Sequence, residues 1–246
     1  SEIYCRGQLL DTVQRSRLFP DSKTFVDMSL RKSPDQKPEL YSNIASATET
    51  GMGFSSRWFS REDGSLNLNT TITKQIIPVD LNSILCEKTK AAIYAEKFRQ
   101  RKILMENVFW NSKRGIWQDF SLAKNASRDY FFPSNIFPLF ADCVDDKQHK
   151  MQPVLKYLET YGILDFNGGV PASLINTGEQ WDFPNGWPPI QHVFIQTLTR
   201  SSNPNARMTG LRLAQKWLWS NYQSWNRSRV IFEKVIIRFT PSFFAM

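Results

Sequence analysis

Trp181, Asp182, Asn185 and Trp187 fall in one short stretch, Gln180-Trp-Asp-Phe-Pro-Asn-Gly-Trp-Pro-Pro-Ile-Gln191. Aromatic faces cover the apolar C–H faces of sugar rings, while planar amides and carboxylates take the hydroxyls at the edge. The chemistry suggested is recognition of a polyhydroxylated ligand. Pro184, Pro188 and Pro189 remove hydrogen-bond donors and fix φ, so the stretch is expected to be a rigid loop rather than a regular helix or a central strand. The same tryptophans and prolines would serve equally to pin a loop to the core.

Other chemistries find little support. His149 and His192 have no Ser or Cys nucleophile pattern and no ligand cluster beside them, so neither a metal site nor a triad is expected. Cys5, Cys86 and Cys143 are widely spaced and odd in number. They predict buried free thiols rather than a disulfide framework. There is no βαβ alternation and no Gly-rich phosphate loop. The net charge of +8 permits nucleic-acid binding, but the basic residues are scattered. Their densest cluster, Lys97, Arg99, Arg101 and Lys102, reads as a solvated helix face. Without a zinc-finger, RRM or KH pattern, nucleic acid is not an expected partner. No apolar run approaches the ~20 residues that span a bilayer, so membrane association is not indicated. Ser1-Glu2 opens without a basic and apolar leader, so any signal peptide is expected to be already absent. Sequons at Asn69, Asn125 and Asn226 hint at a secreted or extracellular membrane-associated protein, with a cytoplasmic one as the alternative.

The elements that must position such a loop read as helices. At 246 residues with 41% hydrophobic content, the chain fits one large domain or two small ones. Helical spacing runs from Asp80, the expected N-cap, to Phe109, with Ile84, Ala91, Ala95 and Phe98 on one face. Residues 115–120 alternate like a short extended or hairpin segment. A second helix is predicted over His149–Tyr161, with Val154, Leu155, Leu158 and Tyr161 inward and Gly162 as its stop. Ile190–Thr199 follows. Asn205–Trp219, or a little beyond, comes next, with Met208, Leu211, Ala214 and Leu218 inward. Long decorated loops between helices suggest an all-α scaffold with its chemistry on the loops. Residues 33–39 read as a polar turn, and Val235–Met246 as an apolar, β-prone tail.

The stretch 180–191 closely resembles the second signature of the trehalases, which hydrolyse α,α-trehalose to two glucose molecules. Asp21–Asp27, Gly51–Phe59 (GMGFSSRWF), Pro78–Asn82, Trp110-Asn111 with Gly115, Gly168–Ser173 and Phe232-Glu233-Lys234 look like other segments of the same family in the same order. The resemblance implies an incomplete (α/α)6 barrel over residues 1–246, with the disaccharide as the partner and no cofactor or metal. It also implies an inverting mechanism, in which one carboxylic acid protonates the leaving oxygen and a carboxylate opposite activates water. Glu233 matches the family's general base. Gly51, Arg57, Trp181, Asp182, Asn185 and Trp187 match substrate-binding positions. Gly51 and Gly53 would also suit turns, and Arg57 an ion pair.

Departures from the pattern carry as much information. In Glu49–Trp58 (ETGMGFSSRW), Met52 stands where the family has Trp, and Gly53 where it has the catalytic Asp. Glycine has no proton to give. The family's PGGRFRE segment with its following YYWDS, and the RSQPP segment, are absent, and Lys37-Pro38-Glu39 is the remnant of a further one. An internal block is therefore expected to be missing near residues 35–40, and the tail 235–246 is atypical. The expectation is a trehalase-like hydrolase impaired in its chemistry, or a non-catalytic carbohydrate-binding or regulatory product. Apolar helix faces are expected to be exposed.

Overall fold

A computed structural model describes residues 33–62, 64–88 and 95–239. Cys5, Asp21–Asp27 and Ala91 lie outside them. The chain divides into two compact units, residues 1–74 and 75–246.

The described part of the first unit opens with helix α1, Lys37–Glu49. The polar piece expected to be a turn is one over residues 34–36, closed by the Gln36 N–H donating to the Ser33 carbonyl at 3.0 Å, and becomes helix from Lys37, because Pro38 occupies the first helical turn, where no N–H is missed. Leu40, Asn43, Ile44 and Ala47 are its buried face. Buried Asn43 earns its place by accepting from the Lys74 backbone N–H at 3.0 Å and donating to the Glu39 carbonyl at 3.0 Å. Residues 51–62 and 64–74 are loops and short 3-10 turns around Phe59 and Leu68, with Phe54 against them.

The second unit contains α2 (Val79–Lys88), α3 (Ala95–Leu104), α4 (Phe137–Phe140), α5 (Lys147–Thr160), α6 (Pro188–Thr199) and α7 (Pro204–Ser228). Of the predicted helix from Asp80 to Phe109, the described residues form α3, which runs into a π-helical turn, Met105–Phe109, and α2, which begins one residue earlier. Its cap differs from the expected one. Asp119 Oδ1 accepts from the Val79 N–H at 2.9 Å, leaving Asp80 inside the first turn, where it suits the positive end of the dipole. Ile84 is exposed, and Val79, Ser83 and Cys86 face inward instead. In α5 the buried aromatic is Tyr157, with Tyr161 exposed and Gly162 at φ +63° just beyond the end.

Two-residue strands supply local ties. β1 (Ile76–Ile77), β4 (Phe120–Ser121) and β5 (Ala126–Ser127) form one antiparallel sheet. β2 (Trp110–Asn111) pairs with β3 (Ile116–Trp117), as the alternation over 115–120 anticipated. β6 (Phe166–Asn167) pairs with β9 (Arg238–Phe239), and β7 (Asn185–Gly186) with β8 (Val235–Ile236).

Three expectations are corrected here. Cys86 and Cys143 are not free thiols. They form a disulfide between α2 and the turn after α4, both fully buried. The helix predicted over Asn205–Trp219 or a little beyond extends to Ser228, but it faces the other way. Ala206, Gly210 and Leu213 are its buried residues, whereas Met208, Leu211 and Leu218 are exposed. The reason is close approach. A Cβ on Gly210 would lie 2.9 Å from Leu198 Cβ, so α7 comes close to α6 at this position, where any side chain is excluded. The outer side of α7 thus carries Leu211, Leu218, Trp219, Tyr222 and Trp225 in contact with solvent. Lastly, Pro188 and Pro189 do not prolong a loop: they open α6 at its first two positions.

Candidate functional site: a tryptophan-bearing loop with its strand partner

The loop 180–187 is held from beneath by the segment 168–173. Fully buried Gln191 clamps it, its Oε1 accepting from the Val170 N–H at 2.8 Å and its Nε2 donating to the Val170 carbonyl at 2.7 Å. The Ala172 N–H donates to the Asn185 carbonyl at 2.8 Å. Ser173 Oγ accepts from the Phe183 N–H at 3.2 Å. The two sequence segments are therefore one structural piece. Gln191→Leu would leave the N–H and C=O of fully buried Val170 without partners, at about 1–3 kcal/mol for each unsatisfied group. Partial relaxation brings the expected net loss to about 2 kcal/mol, read as a drop of roughly 4–8 °C in Tm; an unchanged Tm would show that the clamp is dispensable.

Within the loop the polar residues look inward. The Asp182 carboxylate is completely buried and accepts from Thr177 Oγ1 at 2.6 Å. Its carbonyl accepts from the Asn185 N–H at 2.9 Å. Asn185 Nδ2 reaches the Glu179 carbonyl at 3.3 Å. Trp187 Nε1 donates to the Gln180 carbonyl at 3.0 Å, and its ring is 8% exposed. The indoles of Trp181 and Trp187 stack at 4.3 Å with planes 9° apart. Trp181, only half-buried, is the outer member of this pair.

Glu233 reaches the same region from the end of the chain. Gly186 pairs with Val235 and Asn185 with Ile236, and the Ile237 N–H donates to the Pro184 carbonyl at 2.7 Å. Ile237 is fully buried, and a Cβ on Gly186 would come within 2.4 Å of its Cδ1. Gly186 is what lets the tail seat. Lys234 Nζ lies over the Trp187 ring at 5.6 Å. Glu233 itself is exposed, and among the described residues no hydrogen bond or ion pair holds its carboxylate. The β-propensity of Val235–Phe239 was the one sequence signal for this pairing; the role of Lys234 and the clamp by Gln191 had none. Lys216 of α7 anchors its helix nearby by donating to the Leu164 carbonyl at 2.7 Å, and burial pulls its pKa down.

The other candidate residues belong to the first unit. Gly51 sits at φ +76° in an exposed turn, open on the side a Cβ would occupy. Gly53 is tighter, since a Cβ there would lie 3.1 Å from the Thr48 Cα. Arg57 is 2% exposed, with its guanidinium 4.5 Å from the Trp58 ring centroid and Nη1 3.7 Å from Met52 Sδ. Trp58 Nε1 donates to the Met52 carbonyl at 2.8 Å. Met52 is thus a hub for both side chains. Among the described residues no group of three or more His, Cys, Asp and Glu is gathered to hold a metal, and no helix is long and apolar enough to cross a membrane.

The solved neutral trehalase Nth1 from Saccharomyces cerevisiae superimposes with a TM-score of 0.61 at 18% identity, over 88% of this chain and 42% of that one. That likeness shows the fold class, an all-α, incomplete (α/α)6 barrel. The Trehalase family profile matches residues 20–239, and the chain belongs to the trehalase family. It is 36% identical over 220 residues to a trehalase of Apis mellifera, covering 82% of this chain and 35% of the relative. It is 37% identical over 216 residues to one of Pimpla hypochondriaca (81% and 37%). The human trehalase is 34% identical over 209 residues (79% and 36%). The chain therefore spans little more than a third of the length of these curated relatives.

Proposed function

We propose that this chain carries part of an α,α-trehalose site of the inverting type, and that its hydrolytic chemistry is impaired because Gly53 occupies the position of the general acid. The observation that supports the reading is the pairing of β7 with β8, which ties the segment that follows Glu233 to the loop bearing the stacked indoles of Trp181 and Trp187, with Lys234 over the Trp187 ring. Glu233 is the general base in this reading: exposed and unpaired among the described residues, it is free to take a proton from water. Trp181 supplies the sugar platform. Asp182, Asn185 and Trp187 spend their polar groups on the loop itself, and their part in binding is to hold that platform. Gly51 and Arg57 belong to the binding positions of the other unit, with Arg57 buried against Trp58. The chain acts as one trehalase-like domain from which an internal block near residues 35–40 has been lost.

The absence of an acid at position 53 favours a second reading, a chain that binds the disaccharide without cleaving it. Both readings require trehalose to bind. Calorimetric titration is expected to give saturable binding that Trp181→Ala weakens by about two- to twelvefold, as loss of an aromatic contact of about 0.5–1.5 kcal/mol would. The Trp181→Ala protein should keep its cooperative melt. Equal affinity in the two proteins would remove Trp181 from the site.

The buried Cys86–Cys143 disulfide supports an extracellular or secretory location for this protein, since such bonds persist in oxidising compartments. Alkylation of both thiols in the native protein without a reductant would contradict that placement.

A further inference from the structure

We propose that Asn125 is an N-glycosylation site, the one of the chain's three sequons that carries a glycan in the folded protein. The inference goes beyond the sugar site and rests only on the secretory placement drawn from the disulfide.

In Asn125-Ala126-Ser127, Asn125 is the last residue of the turn that joins β4 to β5, and the other two are β5, where Phe120 pairs with Ser127 and Ser121 with Ala126. The Asn125 N–H donates to the Leu122 carbonyl at 3.3 Å, and Asn125 adopts φ +46°. Asparagine tolerates this left-handed turn better than most residues. Every residue from Leu122 to Ser127 is exposed. Among the described residues neither the Asn125 amide nor the Ser127 hydroxyl has a hydrogen-bond partner. A glycan here displaces nothing, because Asn125 ends an exposed turn and the rest of the sequon is exposed strand.

The other two sequons are placed differently. Asn69 is half-buried, and its partner Thr71 is 4% exposed, with its hydroxyl donated to the Leu68 carbonyl at 2.6 Å. Thr71 also bridges to Phe59 at the core of the first unit. A glycan on Asn69 would press on that packing. Asn226 lies inside α7, and Ser228 Oγ, its hydroxyl partner, donates to the Ser224 carbonyl at 2.9 Å. The sequon is locked in helical conformation beside Trp225.

In the transfer, the Asn125 Nδ2 attacks C1 of a lipid-pyrophosphate-linked oligosaccharide. The new N–C bond replaces the C1–O bond, the lipid pyrophosphate departs with the electron pair, and the amide proton is lost to a base. Leu122, 55% exposed at the same turn, then comes under the cover of the glycan.

The test expresses the full chain behind a cleavable secretory leader in eukaryotic cells, together with Asn69→Gln, Asn125→Gln and Asn226→Gln. Peptide N-glycosidase treatment in heavy-oxygen water followed by peptide mass spectrometry reads each site, in medium and cell lysate alike. The expected result is heavy-oxygen aspartate at position 125, and a deglycosylation mobility shift that Asn125→Gln abolishes and the other two variants keep. An unlabelled Asn125 peptide, or an undiminished shift in Asn125→Gln, overturns the proposal. Because the leader fixes the compartment, such a failure would leave the disulfide-based placement standing.

Discussion

Gly53→Asp is expected to raise the rate of glucose release from α,α-trehalose by about 10²-fold over the unaltered chain, because a positioned general acid is typically worth 10²–10⁴-fold. The low end is expected for two reasons. A Cβ at position 53 would lie 3.1 Å from the Thr48 Cα, so the backbone of α1 must yield by a few tenths of an ångström before the carboxyl is well aimed. The Arg-bearing segments of the family pattern are also absent from the sequence. The gain must depend on the base. Adding Glu233→Gln to Gly53→Asp should return the rate to that of the unaltered chain, since the amide cannot take a proton from the attacking water. No gain in Gly53→Asp, with its melt intact, would mean that the acid position lies elsewhere. A gain that survives Glu233→Gln would remove Glu233 from the mechanism.

Loss of the disulfide is expected to have the largest effect on stability. Cys86 and Cys143 are separated by 57 residues, and the chain-entropy account gives about 4 kcal/mol for closing a loop of that length. Both positions are fully buried, so Cys86→Ala with Cys143→Ala also loses some packing. The pair should lower Tm by roughly 8–16 °C at the 2–4 °C per kcal/mol usual for a chain of this size. Calorimetry with and without reductant checks the cause: the double variant should be indifferent to reductant, and the unaltered protein should fall toward it. A Tm difference of under about 2 °C would show that the crosslink adds nothing.

Much of the helical frame was legible because its signals are local. Gly162 ended α5 as read, and the alternation at 115–120 appeared as β3 followed by β4. What escaped was set by partners far away in sequence. The orientation of α7 follows from Gly210 meeting α6, with Ala206 and Leu213 also buried, and ranking apolar residues by size points the other way. Asp119 rather than Asp80 serves the start of α2 because folding brings it there across 40 positions. The disulfide was hidden by an odd, widely spaced set of cysteines. Pro188 and Pro189 were read as helix breakers, although the first turn of a helix accepts them. At the candidate site the residue types were visible, but their division of labour was not. Trp181 and Trp187 look alike in sequence, yet one is the half-buried outer member of the stack and the other is nearly covered. The tail from Val235 looked detached, and its partner strand at Asn185-Gly186 is what makes it part of the loop.

Incubating the purified, unaltered chain with α,α-trehalose and following glucose tests the central claim most directly: the disaccharide is held, but nothing at position 53 can protonate its leaving oxygen. The account predicts saturable binding with glucose release no faster than that of Glu233→Gln. Rapid release by the unaltered chain, lost on Glu233→Gln, would contradict it.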